Sequence, residues 1–189
     1  MWRPSSRQAL IYSFVLQPEG FKELDLKPGS TYSDNNCLRW NGDSKVEAWK
    51  TPELVWFKDE FNEDSDIDGD FLKFHGGAPA LSTKAHTILQ PLLKDSAEFL
   101  LVIVEGETRY LLNVTSVLDL MDKSKSTFKI YGDGQIGPCE YAYLNEPDIE
   151  NTIFKVRGYL TRVFINEITK SQIENSGLTG VLIREYKNP

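Results

Sequence analysis

The stretch Phe99-Leu-Leu-Val-Ile-Val104, followed by Glu105-Gly106 and then Arg109-Tyr-Leu-Leu-Asn113, decides how the rest of the chain reads. Its first part is an uninterrupted apolar run bounded by charges, which predicts a central strand buried on both faces. Glu105-Gly106 is a two-residue turn signal, so the run is expected to fold back antiparallel onto the Arg109–Asn113 segment.

Upstream of this hairpin, Phe71-Leu-Lys-Phe74 reads as a short strand and Gly76-Gly77 as a turn. Ser82 is placed to cap a helix whose apolar face is Ala85, Ile88, Leu89 and Leu92, at i, i+3, i+4 and i+7. Pro91 predicts an end or kink near Gln90, because its ring clashes with the carbonyl four residues back. Downstream, Ser116 and Asp119 stand at capping-box spacing and predict a short helix running into Leu120 and Met121. The chain then reads as a strand at Arg162–Ile165, an N-cap at Asn166 and a helix from about 167 to 176. Gly177 fits the left-handed closing position of that helix, which would set Leu178 on Ile173, and Gly180 leads into a last strand at Val181–Arg184.

The expected fold is therefore α+β, a mostly antiparallel sheet with a few short helices in a single domain. Residues 1 to 50 read as one strand, Leu10 to Leu16, and an irregular region rich in turn formers (KPGS, SDNN, WNGD) packed on the core. Residues 51 to 189 carry the main α+β unit. Trp2, Trp40, Trp49 and Trp56 are expected to pack over the edge of the core.

A chain of 189 residues, 40% of them apolar, is long enough to bury a sizeable core. It has no apolar run of the roughly 18 residues that a membrane span needs, and its start lacks a cleavage pattern, so a cytoplasmic location is expected. Cys37 and Cys139 are isolated, which suits a reducing compartment better than a disulfide framework or a zinc site.

The net charge of −7 has a single source. The run DEFNEDSDIDGD, residues 59 to 70, holds seven carboxylates (Asp59, Glu60, Glu63, Asp64, Asp66, Asp68, Asp70) and no cation, which leaves 21 acids against 21 Lys and Arg elsewhere. Such a patch repels nucleic acid and attracts cations or basic proteins.

Within that run, Asp64, Asp66, Asp68, Gly69 and Asp70 match the first half of a calcium loop. The closing position holds His75, not the bidentate glutamate, and Phe71–Phe74 reads as strand, so a solvated loop is favoured over a metal site. Gly132-Asp-Gly134-Gln-Ile-Gly137 has the letters of a dinucleotide motif but runs into Pro138 and a strand-like segment, so it reads as a turn between strands. The two histidines, His75 and His86, fit no zinc-helix motif, and no nucleophile elbow occurs. No catalytic residue, cofactor or metal ligand is expected.

Three stretches occur in order: DFLKFHGGAPALSTKAHTILQPLL, EFLLVIVEGETRYLLNVTSVLDLMD and LTRVFINEITKSQIENSGLTGVLIRE. Their succession resembles the immunity-protein family of bacterial polymorphic toxin systems, also called the MXAN-0049 type, over residues of about 50 to 185. The resemblance implies a non-enzymatic protein that binds and neutralises a cognate toxin domain, with no nucleic-acid or membrane partner. A basic toxin would meet the carboxylates from Asp59 to Asp70, with Trp40 and Trp56 as anchors if exposed. Two other readings remain open: a small enzyme that reverses the toxin's modification, such as an ADP-ribosyl hydrolase, and a calcium-tuned binding module.

Overall fold

The computed structural model describes residues 10–17, 19–58, 64–145 and 151–189. Along them run β1 (Ile11–Leu16), β2 (Glu23–Leu26), a single 3-10 turn (Val46–Ala48), β3 (Glu53–Phe57), β4 (Phe71–Phe74), β5 (Pro79–Leu81) and α1 (Thr83–Leu93). Next come β6 (Ala97–Val104), β7 (Glu107–Val114), β8 (Val117–Leu118), β9 (Met121–Ile130) and β10 (Ile136–Leu144). The chain finishes with β11 (Ile153–Val156), β12 (Tyr159–Asn166), α2 (Glu167–Asn175) and β13 (Val181–Glu185).

The β6–β7 hairpin is as expected. Glu105 (φ 48) and Gly106 (φ 93) both take positive φ, the requirement of the hairpin turn that matches strand twist. It forms one wall of a closed six-stranded barrel in the order β2-β3-β6-β7-β5-β4. Leu100, Val102 and Val104 of β6 and Leu111 of β7 fill its interior with Leu24, Leu26, Leu54, Leu72 and Phe74. The opposite face of β6 is not fully buried: α1 covers it only near its start, where Ala97 and Phe99 join the neighbouring core, and Leu101 beyond is exposed.

A five-stranded sheet, β13-β1-β12-β11-β8, lies beside the barrel. Between them, Phe14, Phe71, Leu81, Leu89, Leu93, Leu112, Val114, Ile165 and Ile173 form a second core that both helices share. A third core, with Phe154, Val156, Tyr159 and Phe164, lies against the start of β9 and the end of β10. Most strand pairs run antiparallel, as expected, but the sheets are mixed: β2 with β4, β3 with β6 and β11 with β8 are parallel. Parallel neighbours need long connections, so they join segments far apart in sequence. The first fifty residues give more than the single expected strand, since β1 is inserted between β12 and β13 and β2 closes the barrel.

Both helix starts are capped as expected: Ser82 Oγ accepts from the Ala85 amide at 3.0 Å and Asn166 Oδ1 from the Thr169 amide at 3.0 Å. Gly177 has φ 58, and the Leu178 amide reaches the Ile173 carbonyl at 3.3 Å, which closes α2. Pro91 does not end α1, which runs to Leu93. Thr87 and Pro91 both lie on the exposed face, so the lost hydrogen bond falls on the solvent side of the helix, and buried Leu93 holds the last turn down. The helix expected after Ser116 is absent. Ser116 Oγ instead accepts from Asn151 Nδ2 at 3.0 Å, and Val117 and Leu118 pair with Lys155 and Val156.

Candidate functional site

Arg109, Leu111 and Asn113 share the interior face of β7, so the barrel carries polar groups towards both ends. At one end the buried Arg109 guanidinium donates to the Gly69 carbonyl at 3.1 Å and pairs with the Asp68 carboxylate. It also lies 5.7 Å from the Trp56 ring, which has Lys22 Nζ at 4.6 Å as a second cation. A Cβ on Gly69 would sit 2.6 Å from Phe21 Cδ1, so only glycine lets the loop come this close.

Asp70 is a second tie. Its carboxylate accepts from Ser82 Oγ at 2.7 Å, from the Thr179 amide at 3.2 Å and from Lys84 at 3.3 Å. Burial opposes its ionisation, but these donors win and hold its pKa below the usual carboxylate range. Two of the four aspartates of the half calcium loop, Asp68 and Asp70, are thus spent on protein partners, and the cations that they hold are the Arg109 guanidinium and the Lys84 ammonium. His75, at the closing position, has Nε2 2.6 Å from Glu23 Oε2. Among the described residues no group of acidic, histidine or cysteine side chains is placed to hold a metal ion. Asp64 and Asp66 are exposed, while Asp59, Glu60 and Glu63 lie outside the described residues, as does Trp2.

Trp40 and Trp56 do not come together. Trp40 covers the other end of the barrel, half-buried, with Nε1 donating to the Gly76 carbonyl at 2.6 Å and its ring 6.4 Å from that of Trp49. At this end Glu98 accepts from Ser44, from the Lys45 amide at 2.9 Å and from Asn113 Nδ2 at 2.9 Å. Lys45 is buried, and its ammonium donates to the Asn36 and Leu38 carbonyls at 3.0 and 2.7 Å.

Beside Trp40 a cavity of about 290 Å³ opens at the seam between barrel and sheet. Gly77, Pro79, Leu112 and Val114 line it from the barrel, and Lys155, Leu160 and Val163 from β11 and β12. Lys155 is only 6% exposed and its ammonium donates to the Trp40 carbonyl. Burial, with a smaller push from the Lys45 charge, takes its pKa down to about 8. Nothing in the sequence marks this lysine, which sits where an alternating strand would carry a solvent-facing residue.

Sequence reasoning also missed β9 and β10 as an arm. They pair with each other as a separate two-stranded sheet, and near their turn Ile130 and Ile136 are register partners, 72% and 76% exposed. Tyr131 and Tyr141 are exposed as well. The glycine-rich stretch is the turn between these strands, with the Tyr131 amide on the Gln135 carbonyl at 2.9 Å. No helix follows it, so it offers no pyrophosphate cradle. The usable signal was the pair of isoleucines flanking a glycine-rich turn.

The fold and these surfaces define a sheet-rich α+β protein that displays an acidic lip and an apolar arm. The chain belongs to the Imm11 immunity protein family, whose sequence model matches residues 26–188. The match extends the resemblance seen in the sequence upstream to Leu26, at the end of β2. A comparison with curated proteins finds no match. Both cysteines are free, and no helix among the described residues is long and apolar enough to cross a membrane.

Proposed function

We propose that this protein neutralises a cognate toxin in the cytoplasm by stoichiometric binding and performs no covalent step of its own. Membership of an immunity protein family over residues 26–188 is the observation that carries it. Two surfaces support this reading. On the lip, Asp64 and Asp66 face outward while Arg109 and Asp70 fix the segment behind them, so the charge is presented with little ordering left to do on binding. On the arm, exposed Ile130 and Ile136 offer apolar area to bury, and exposed Tyr131 and Tyr141 are of a residue type enriched among interface hot spots. A basic toxin meets the carboxylates of the Asp59–Asp70 run, with half-buried Trp56, packed against Arg109, as a support. Trp40, committed to Gly76, is left as a support.

Titration with the toxin domain encoded beside this chain tests the proposal. Neutralisation should reach completion at equimolar ratio, and the double variant Ile130→Lys, Ile136→Lys should weaken the complex at least tenfold. Complete rescue by a small fraction of an equivalent would show turnover and refute the proposal.

A further inference from the structure

We propose that the seam cavity binds a carboxylate carried on a small apolar body, with the Lys155 ammonium as its counter-ion. Buried charges are normally paired, because desolvation of an isolated one is expensive. Lys155 departs from this. Its ammonium has three donors, and the Trp40 carbonyl takes one. Among the described residues it forms no ion pair, and the charge that acts on it is that of Lys45, of the same sign. Lys45 does not share its deficit: it donates to two backbone carbonyls, and the charges of Asp43 and Glu98 reach it. One buried cation therefore stands at a cavity without an anion.

The cavity's other walls set the rest of the ligand. Pro79, Leu112, Val114, Leu160 and Val163 are apolar, and about 290 Å³ is at the small end of the roughly 300–1,000 Å³ of ligand pockets. A single ammonium with no arginine fork beside it matches one carboxylate better than a phosphate, whose oxygens need several donors. An aromatic or short aliphatic acid fits this combination. The carboxylate has two sources: a free small acid, or a residue of a protein partner inserted at the seam. The second rests on the toxin-binding proposal and the first does not.

Benzoate serves as the probe, with methyl benzoate as its uncharged match. Benzoate should saturate the wild-type protein at millimolar concentration in NMR titration, shifting Val114, Leu160 and Val163. The ester, and benzoate added to Lys155→Met, should bind at least tenfold more weakly. Binding to wild type should also weaken as pH rises through about 8, where the ammonium loses its proton beside Lys45; this arm needs no variant. A Gly-Gly-Phe peptide with a free C-terminus, compared with its amide, separates the sources. Benzoate alone binding identifies a free acid, and the free-acid peptide binding as well identifies an inserted chain end. Equal affinity for acid and ester, or no binding by benzoate or the free-acid peptide, overturns the proposal, and neither result bears on toxin neutralisation.

Discussion

Replacing Lys155 with methionine is expected to stabilise the protein at neutral pH. Its pKa falls from 10.5 to about 8 in the fold, so keeping it charged there costs about 3 kcal/mol relative to the unfolded chain. Methionine keeps the length and apolar stem but forfeits the bond to the Trp40 carbonyl, about 1–2 kcal/mol. The balance is a gain of about 1–2 kcal/mol, or about 2–8 °C in Tm for a chain of this size. The sign fixes a pH dependence. The unfolded chain keeps this proton longer than the folded one, so wild-type stability rises between about pH 8 and 10.5, and the variant lacks that rise. The advantage should be full below about pH 8 and close towards 10.5. Tyr12 and Tyr32, raised to about 12, and Cys37, raised to about 11, titrate in the alkaline range but in both proteins, so the difference cancels them. Urea unfolding of both proteins at about pH 7, 9 and 10 measures it. A variant less stable at pH 7, or an advantage that does not change with pH, would refute the reasoning.

Gly180→Ala should destabilise the fold by at least about 3 kcal/mol. Gly180 has φ 89, and an added Cβ would sit 2.0 Å from the Phe71 carbonyl oxygen, a backbone atom that cannot swing aside; the urea midpoint reads the loss. Asp70→Asn should lose about 1–2 kcal/mol at neutral pH by replacing charge-assisted bonds to Ser82, Thr179 and Lys84 with neutral ones. Because the folded pKa is depressed, the wild-type contribution is present above the unfolded value of 3.8 and fades as pH falls through the folded one, so the two proteins should converge in acid.

Signals confined to a few residues were legible in the sequence. Glu105-Gly106 needs only its own φ values, and the Asn166 cap and the Gly177–Leu178 closure of α2 are settled within one turn of helix. Barrel closure was not legible, because it depends on parallel pairs such as Glu23 with Lys73, whose partners are chosen by packing across the whole molecule. The failed helix after Ser116 shows the same competition. A local cap was available, but Asn151 took the serine hydroxyl and β11 took Val117 and Leu118 into a sheet. At the acidic run the charge was legible and its partner was not, since Arg109 reads as an ordinary strand residue until the barrel turns it inward.

That inward arginine changes what the acidic run can do. Asp68 is neutralised by Arg109 and Asp70 is drawn towards Ser82, Thr179 and Lys84, so of the described carboxylates only Asp64 and Asp66 are left outside these ties. Asp64 and Asp66 belong to a run of one sign in the sequence, but exposed charges are screened beyond about 8 Å at physiological salt. Such charges speed encounter with a basic surface more than they hold the complex together. Holding falls to side chains that lose water on contact, and Ile130 and Ile136 are placed for that. The two surfaces should therefore separate kinetically. Reversing Asp64 and Asp66 to lysine slows association with the toxin and flattens its salt dependence, whereas charging the isoleucine pair speeds dissociation and leaves the salt dependence of association intact. If both changes acted on dissociation alone, the lip would be part of the packed interface and not a steering surface.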